Sequence, residues 1–243
     1  MKRAVRLFFF LILSILACRP APKSVFHPTV PIDPSTIGSI AGVVRFEGSP
    51  PSPTKIPVAG FPDCGNPRGE DDDVRIQNGL VENAFVFIKD GLDRYQFPPA
   101  SGEVVLDQKG CLYTPRVVGL RVGQTLVVKN GDPTPHNVHA LPKFSSSFNV
   151  GMGAKAPEIR KSFDEPEVMV PVRCDIHPWM RTYVGVLSHP IFTVTGPDGV
   201  FTLSGIPAGA YVLEAWHERL GRTSVPVTVE AGKTIEKRLS FGP

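Results

Sequence analysis

The 243-residue sequence has little of several features that would settle its class at once. Its 26 Lys and Arg against 23 Asp and Glu give a formal charge of only +3. A nucleic-acid binder carries a stronger basic excess, so no nucleic-acid partner is expected. Four cysteines are too few for a disulfide scaffold at this length, so each needs its own explanation. No stretch of ten or more residues has a convincing 3.6-residue apolar period, which predicts few and short helices. The run Leu7 to Ala17, broken only by Ser14, falls well short of the ~20 residues that span a bilayer. Catalytic signatures are missing too. There is no G-x-S-x-G, and His217-Glu218-Arg219-Leu220-Gly221 lacks the second histidine of a zinc protease motif. Gly151-Met152-Gly153-Ala154-Lys155-Ala156 lacks the later glycine and the Lys-Ser/Thr pair of a nucleotide loop and reads as a flexible loop. No enzyme is expected.

What is present points to β structure. The 23 Gly and 26 Pro make about a fifth of the chain, a turn-rich composition below that of low-complexity disorder, and 42% hydrophobic residues suffice for a core in one large or two small domains. Short β-branched or aromatic runs bounded by Gly, Pro, Asn or Asp predict strands over 40–46, 84–88, 104–106, 126–128, 168–172 and 183–187. Gly196-Pro197-Asp198-Gly199 is a turn signal followed by alternating Phe201 and Leu203. Ile206-Pro207-Ala208-Gly209 leads to Tyr211, Leu213 and Ala215, and Val225, Val227 and Val229 alternate before Gly232. These read as hairpins of a small sandwich. The acidic run Glu70-Asp71-Asp72-Asp73 fits no calcium-loop spacing and reads as a solvated loop.

At the N-terminus, Lys2, Arg3 and Arg6 precede the apolar run and Cys18 follows it, the pattern of a secretory signal over 1–17. Ile15-Leu16-Ala17-Cys18 resembles the lipobox of bacterial lipoproteins, which implies cleavage before Cys18, its lipidation and a membrane anchor; a plain cleaved signal with a free Cys18 is the alternative. Taking the three signal arginines and lysines from the 26 basic residues leaves 23, equal to the 23 acidic ones, so the mature chain carries no net charge. Arg19 at the next position, by resemblance to proteobacterial sorting, favours the outer membrane. Residues 18–37, with Pro20, Pro22, Pro28, Pro31 and Pro34, read as a semi-extended tether that leaves the globule exported, in a periplasmic setting.

The Gly-rich opening strand Gly38-Ser39-Ile40-Ala41-Gly42-Val43-Val44, the strand Ala84-Phe85-Val86-Phe87, the D-G turn before Phe201-Thr202-Leu203 and the P-x-G-x-Y-x-L strand at 207–213 resemble carboxypeptidase regulatory-like domains. The two halves of that likeness lie at the two ends of the globule. An all-β chain is therefore expected, in which 102–189 is inserted between 38–101 and 190–243, the first and second parts of a regulatory-like (transthyretin- or Ig-like) sandwich.

The chemistry concentrates in 102–189. Cys174-Asp175-Ile176-His177-Pro178-Trp179-Met180 spaces a thiolate, an imidazole and a thioether two residues apart, so that one short loop can aim three donors at one centre. Soft sulfur plus imidazole suits copper. A second histidine is available upstream in Pro135-His136-Asn137-Val138-His139. P-H-N-V-H before C-x-x-H-x-x-M resembles the cupredoxins, the short ligand loop being like that of amicyanin and its relatives, and the whole chain is similar to exported bacterial proteins some of which are labelled methylamine utilization proteins. The resemblance implies a Greek-key β-sandwich with one type 1 copper ion on His136, Cys174, His177 and Met180. It implies Asn137 as the residue whose hydrogen bonds tie the two ligand loops together, and single-electron transfer to an unidentified redox protein. It also implies that the exposed edge of His177 is the electron port, with Trp179 in the apolar patch around it. The sequences it resembles often carry histidine at the position of Arg116.

Among the other histidines, His139 lies three residues past His136 and would point to the opposite face as a surface or hydrogen-bonded residue. His189 precedes Pro190 as a boundary residue, His217 suits a structural or interface role, and His27 lies in the tether. Cys64 and Cys111 sit in no C-x-x-C motif; in an exported chain they are expected to pair as a disulfide, two unrelated buried thiols being the alternative. Two other functions stay open: copper storage or delivery with Met152 and Met169 as extra soft donors, or binding of a partner or glycan by the regulatory-like part. Zinc is a rival metal, though a Met ligand is unusual for it.

Overall fold

The computed structural model describes residues 29–56, 64, 71 and 73–242. The signal, Cys18, His27 and most of the tether lie outside them. The protein is all-β. Strands run in the order β1 (Val30–Pro31), β2 (Ile37–Phe46), β3 (Ile76–Gln77), β4 (Leu80–Val81), β5 (Phe85–Asp90), β6 (Tyr95–Gln96), β7 (Glu103–Gln108), β8 (Tyr113–Thr114), β9 (Val117–Arg121) and β10 (Thr125–Asn130). They continue with β11 (His136–Ala140), β12 (Phe148–Met152), β13 (Ile159–Lys161), β14 (Glu167–Arg173), β15 (Arg181–Leu187), β16 (Phe192–Val194), β17 (Val200–Pro207), β18 (Gly209–His217), β19 (Gly221–Val229) and β20 (Thr234–Phe241). Among the described residues helix is confined to short 3-10 turns such as Pro34–Thr36, as the missing 3.6-residue period predicts.

Four sheets make two sandwiches. Sheets ordered β13-β10-β7-β8 and β12-β11-β14-β15-β9 share an apolar cluster that includes Leu106, Leu120, Leu126, Val138, Phe163 and Val184. Sheets ordered β16-β5-β18-β19 and β17-β2-β4-β3, with β20 parallel to β2, enclose Ile40, Val44, Ile88, Phe201, Leu213 and Leu239. Strands from before residue 91 and after residue 191 thus share sheets, while β7 to β15 form a sandwich of their own. The turn before β17 closes as its residues dictate: Gly199 N–H donates to Gly196 O at 3.0 Å, Val200 N–H to Asp198 Oδ1 at 3.1 Å, and Gly199 takes a φ of +64° that favours glycine.

The proline-rich stretch joins the body sooner than a tether ending at residue 37 would. β1 pairs in parallel with β6, and Asp33 accepts from Ser35 N–H at 2.9 Å to cap the turn that leads into β2.

The sandwiches meet on two glycines. Gly119 of β9 and Gly185 of β15 are direct partners across their ladder, and the stacked rings of Phe85 and Phe192, centroids 5.5 Å apart, rest on them. A Cβ on Gly185 would come within 2.5 Å of the Phe85 ring, and one on Gly119 within 2.3 Å of Phe192. Beside this contact lies a buried ionic cluster. Arg116 donates from Nη1 to Asp71 Oδ1 at 2.6 Å and from Nε to Glu218 Oε1 at 2.6 Å, with Arg181 near Asp71 at 3.8 Å. Asp73 accepts from the Thr54 N–H at 3.1 Å and pairs with Arg219. The expectation of a solvated acidic loop is therefore corrected for Asp71 and Asp73, both buried. A buried carboxylate persists only when paired, and its arginine partners here are too distant in sequence for spacing to reveal.

His189 and His217 are also buried. His189 donates from Nε2 to Ile88 O at 2.9 Å and accepts Ile191 N–H on Nδ1 at 3.2 Å, so its neutral ring is fully used; His217 Nδ1 accepts Arg219 N–H at 3.2 Å. Burial pushes both rings down to about 4. In the unfolded chain they take protons below about 6.5 while the folded protein resists until about 4, so stability falls as pH drops through that window. Between pH 7 and pH 5 each is expected to remove roughly 2 kcal/mol. Urea midpoints across that range should fall for the wild type and fall less for His189→Gln; equal slopes would overturn the assignment. Gly185→Val should cost about 1–3 kcal/mol by crowding the Phe85 ring, and an unchanged midpoint in the same assay would mean the sandwiches do not press together there.

Candidate metal centre

The site forms at one end of the first sandwich, where two hairpin loops meet. β14 and β15 are joined by residues 174–180, closed by Cys174 N–H donating to Met180 O at 3.0 Å and Met180 N–H to His177 O at 2.9 Å. These bonds fold Cys174, His177 and Met180 into one tight loop, and all three are buried. His136 opens β11 on the neighbouring strand, paired with Met152 of β12. The turn before it is fixed by Asn130, whose amide donates to Thr134 O, Met152 O and Gly153 O at 3.0 to 3.1 Å while its Oδ1 accepts Asp132 N–H.

Asp132 orients the first histidine. Its Oδ2 accepts from His136 Nε2 at 2.8 Å and from Cys111 N–H at 2.8 Å, and its Oδ1 accepts Gly110 N–H at 2.7 Å. Burial pushes the carboxyl up, but the two backbone donors and His136 together hold it below the usual range. With its proton placed on Nε2 by an ionised neighbour, His136 turns the lone pair of Nδ1 inward. There it meets His177 Nδ1 at 3.0 Å, and Cys174 Sγ lies 3.8 Å from the same His177 nitrogen.

The electrostatics suit a thiolate. Burial alone would raise the Cys174 pKa, but hydrogen bonds with His136 and the backbone of Asn137 and His177 outweigh it and hold the thiol below its ordinary value. Burial lowers the His177 pKa, helped by the charge of His136; His136 itself is raised because its bonds to Cys174 and Asp132 overcome burial. Asn137 joins the two loops. Its Oδ1 accepts from Cys174 Sγ at 3.3 Å and Asp175 N–H at 2.7 Å, its Nδ2 donates to Asn149 Oδ1 and Asp175 Oδ2, and Tyr113 O–H donates to its backbone carbonyl at 2.6 Å. His139 donates to Asp175 at 3.0 Å, and with Asn149 it holds that carboxyl down at about 2.

The donor set fits a metal ion. The ligand atoms of His136, Cys174 and His177 lie within 4.8 Å of one another, and separations of 3.0 and 3.8 Å are those of nitrogen and sulfur ligands about 2.0 to 2.3 Å from a shared ion. Met152 lies beside the site through its pairing with His136, but its sulfur accepts from Gln108 Nε2 at 3.1 Å; Met169 packs in the separate cluster with Phe85 and Val117. The expected exposed port is corrected. His177 and Trp179 are each 3% exposed. A disulfide between Cys64 and Cys111, expected from the sequence, lies over them, with Cys111 Sγ 4.0 Å from His177 Nε2 and Trp179 Nε1 donating to Cys111 O at 3.0 Å. The roles of Asp132, Tyr113 and Asp175 escaped the sequence reading. Asp132 precedes His136 by four residues, which was the only local signal.

No family model and no curated protein matches the chain. Solved structures of amicyanin variants do. A methionine-to-alanine variant in the Cu(I) state is 26% identical over 36% of this chain and 85% of its own, with a TM-score of 0.31. An oxidised proline-to-alanine variant is 27% identical over 36% and 85%, at a TM-score of 0.32, and a reduced tryptophan-to-tyrosine variant is 28% identical over the same shares, also at 0.32.

Asp132→Ala would strand three donors at once, those of Gly110, Cys111 and His136, the last two of them buried. Each loss costs about 1–3 kcal/mol, so guanidinium unfolding of the metal-free variant should show a loss of at least about 2 kcal/mol. A loss below 0.5 kcal/mol, roughly the scatter of surface substitutions, would mean the carboxylate does not hold this end of the sandwich together.

Proposed function

We propose that the protein is an exported carrier of single electrons holding one type 1 copper ion on His136, Cys174, His177 and Met180. The observation that carries this is the buried convergence of two imidazole Nδ1 atoms and one thiolate-leaning sulfur, with Met180 closing the same loop. A copper ion on such ligands supplies one-electron chemistry. The chain's part is to keep the ligands where they are. Asp132 fixes one ring, Asn137 holds the sulfur, and the 174–180 loop is pinned by its own backbone, so the donors have little room to rearrange when charge changes. Burial of all four side chains keeps bulk water away.

The rest of the expected organisation belongs to the same proposal. Cys18 would carry the lipid anchor, residues 102–189 would be the cupredoxin unit, and 38–101 with 190–243 the regulatory-like sandwich that displays it at a membrane in the periplasm. The partner is a redox protein. Storage or delivery of copper is the less favoured reading, because the sulfur of Met152 is engaged by Gln108 and Met169 lies at the junction of the sandwiches.

Copper loading tests the assignment directly. The Cu(II) protein is expected to absorb intensely near about 600 nm, the thiolate-to-copper transition of such ligand sets, and to bleach reversibly on reduction. Cys174→Ser should abolish the band and weaken copper binding by at least an order of magnitude. A colourless protein whose Cys174→Ser variant binds copper as well as the wild type would defeat the ligand assignment.

A further inference from the structure

The two nitrogens of His177 face different sulfur chemistry. Nδ1 looks to His136 and Cys174, while Nε2 looks to the Cys64–Cys111 disulfide, 4.0 Å from Cys111 Sγ. The ligand atoms of Cys64, Cys111 and His177 lie within 4.8 Å of one another and all three residues are buried. We propose that this disulfide is a latent second metal site, which on reduction binds Cu(I) through the sulfurs of Cys64 and Cys111 and His177 Nε2.

The frame for such a site does not depend on the S–S bond. Cys111 is held by its N–H to Asp132, by the neighbouring Gly110 N–H to the same carboxylate, and by Trp179 Nε1 on its carbonyl. Cleavage therefore leaves its sulfur facing the imidazole. Cys64 packs in the same apolar cluster as Cys111, Cys174 and Trp179, which keeps the second sulfur near. Two thiolates and an imidazole are soft to borderline donors in a water-poor setting, the set that selects Cu(I) over harder cations.

The chemistry balances with a dithiol reductant. Its two thiols become a disulfide and the Cys64–Cys111 bond breaks. Both electrons go to the two cysteine sulfurs, and each takes up a proton. Binding of Cu(I) then displaces the two thiol protons to solvent, joined by the proton on His177 Nε2 where Nδ1 already holds copper, with no change in the oxidation state of the metal. The ring of His177 would join the two sites, so each ion alters the affinity for the other, reciprocally. The inference shares His177 with the proposed electron-transfer site but requires neither Cys174 nor electron transfer.

Anaerobic titration with Cu(I) against a chromophoric Cu(I) chelator tests it. The disulfide form should bind one equivalent. Protein reduced with a dithiol, desalted and confirmed by thiol count should bind two, and the same sample reoxidised should return to one. Reduced Cys174→Ser should keep one equivalent that Cys64→Ser in the same background removes. Reduced wild type binding no more than the disulfide form, with the extra thiols counted, would overturn the inference. The reoxidised wild type serves as the control if a serine variant fails to fold. Absence of the single equivalent in the disulfide form would count against the copper assignment of His136, Cys174, His177 and Met180, leaving the second site to be judged from the increment alone.

Discussion

The carboxylate of Asp132 is the interaction on which the rest of the site depends. One side chain receives the N–H groups of Gly110 and Cys111 from the loop after β7 and the Nε2 of His136 from β11. It thereby fixes the backbone of the cysteine that covers His177 and the ring that faces His177 from the other side. A neutral amide at this position would offer a single acceptor oxygen for three donors, and an apolar residue none. Burial pushes the carboxyl up, but the backbone donors and His136 together outweigh it and keep the pKa low. Geometry on both edges of His177 is thus set by one charge.

A second set of constraints holds the two sandwiches together, and it works differently. Phe85 and Phe192 press on a pair of glycines, a non-directional contact whose worth comes from apolar area removed from water and from the absence of a Cβ. The Arg116, Asp71 and Glu218 cluster beside it adds little net free energy, because taking three charges from water costs about as much as their attraction returns. Its effect is on specificity: a sliding of one sandwich over the other would leave a buried ion without its partner. Packing supplies the adhesion and the ions supply the register.

The sequence made the fold class and about half of the described strands legible, since alternation and turn residues act over a few positions. Val104 to Leu106, Leu126 to Val128 and Tyr183 to Leu187 each lie inside an observed strand. The ends were less legible, because hydrogen bonding extends strands into residues such as Lys129 and Arg173 that carry no β signal. The segment at Gly151 and Met152, read as a loop from its glycines, is the end of a strand whose partner is β11; only the pairing reveals it. Cys174, His177 and Met180 stand out as candidate donors because their spacing is short. Asp71, Asp73 and Tyr113 were not, because what gives them meaning lies 24 to 146 residues away in sequence. Local chemistry can be read along a chain; compensation of buried charge cannot, until the fold says what is buried beside it.

The covering of His177 is where these strands of reasoning meet. An apolar side chain over a histidine edge excludes water unconditionally, since nothing short of unfolding removes it. A disulfide excludes water equally well, yet it is a covalent bond whose opening would break none of the ladders of β14 and β15 and none of the hydrogen bonds that Cys111 makes through its backbone. The sequence separation of 47 between the two cysteines lets the bond restrict a long segment while the chemistry stays at its far end, against the ring. Were the bond to open as proposed, the surroundings of His177 would answer to thiol chemistry as well as to the fold, while the hydrogen bonds of Asp132 to Gly110, Cys111 and His136 involve neither sulfur.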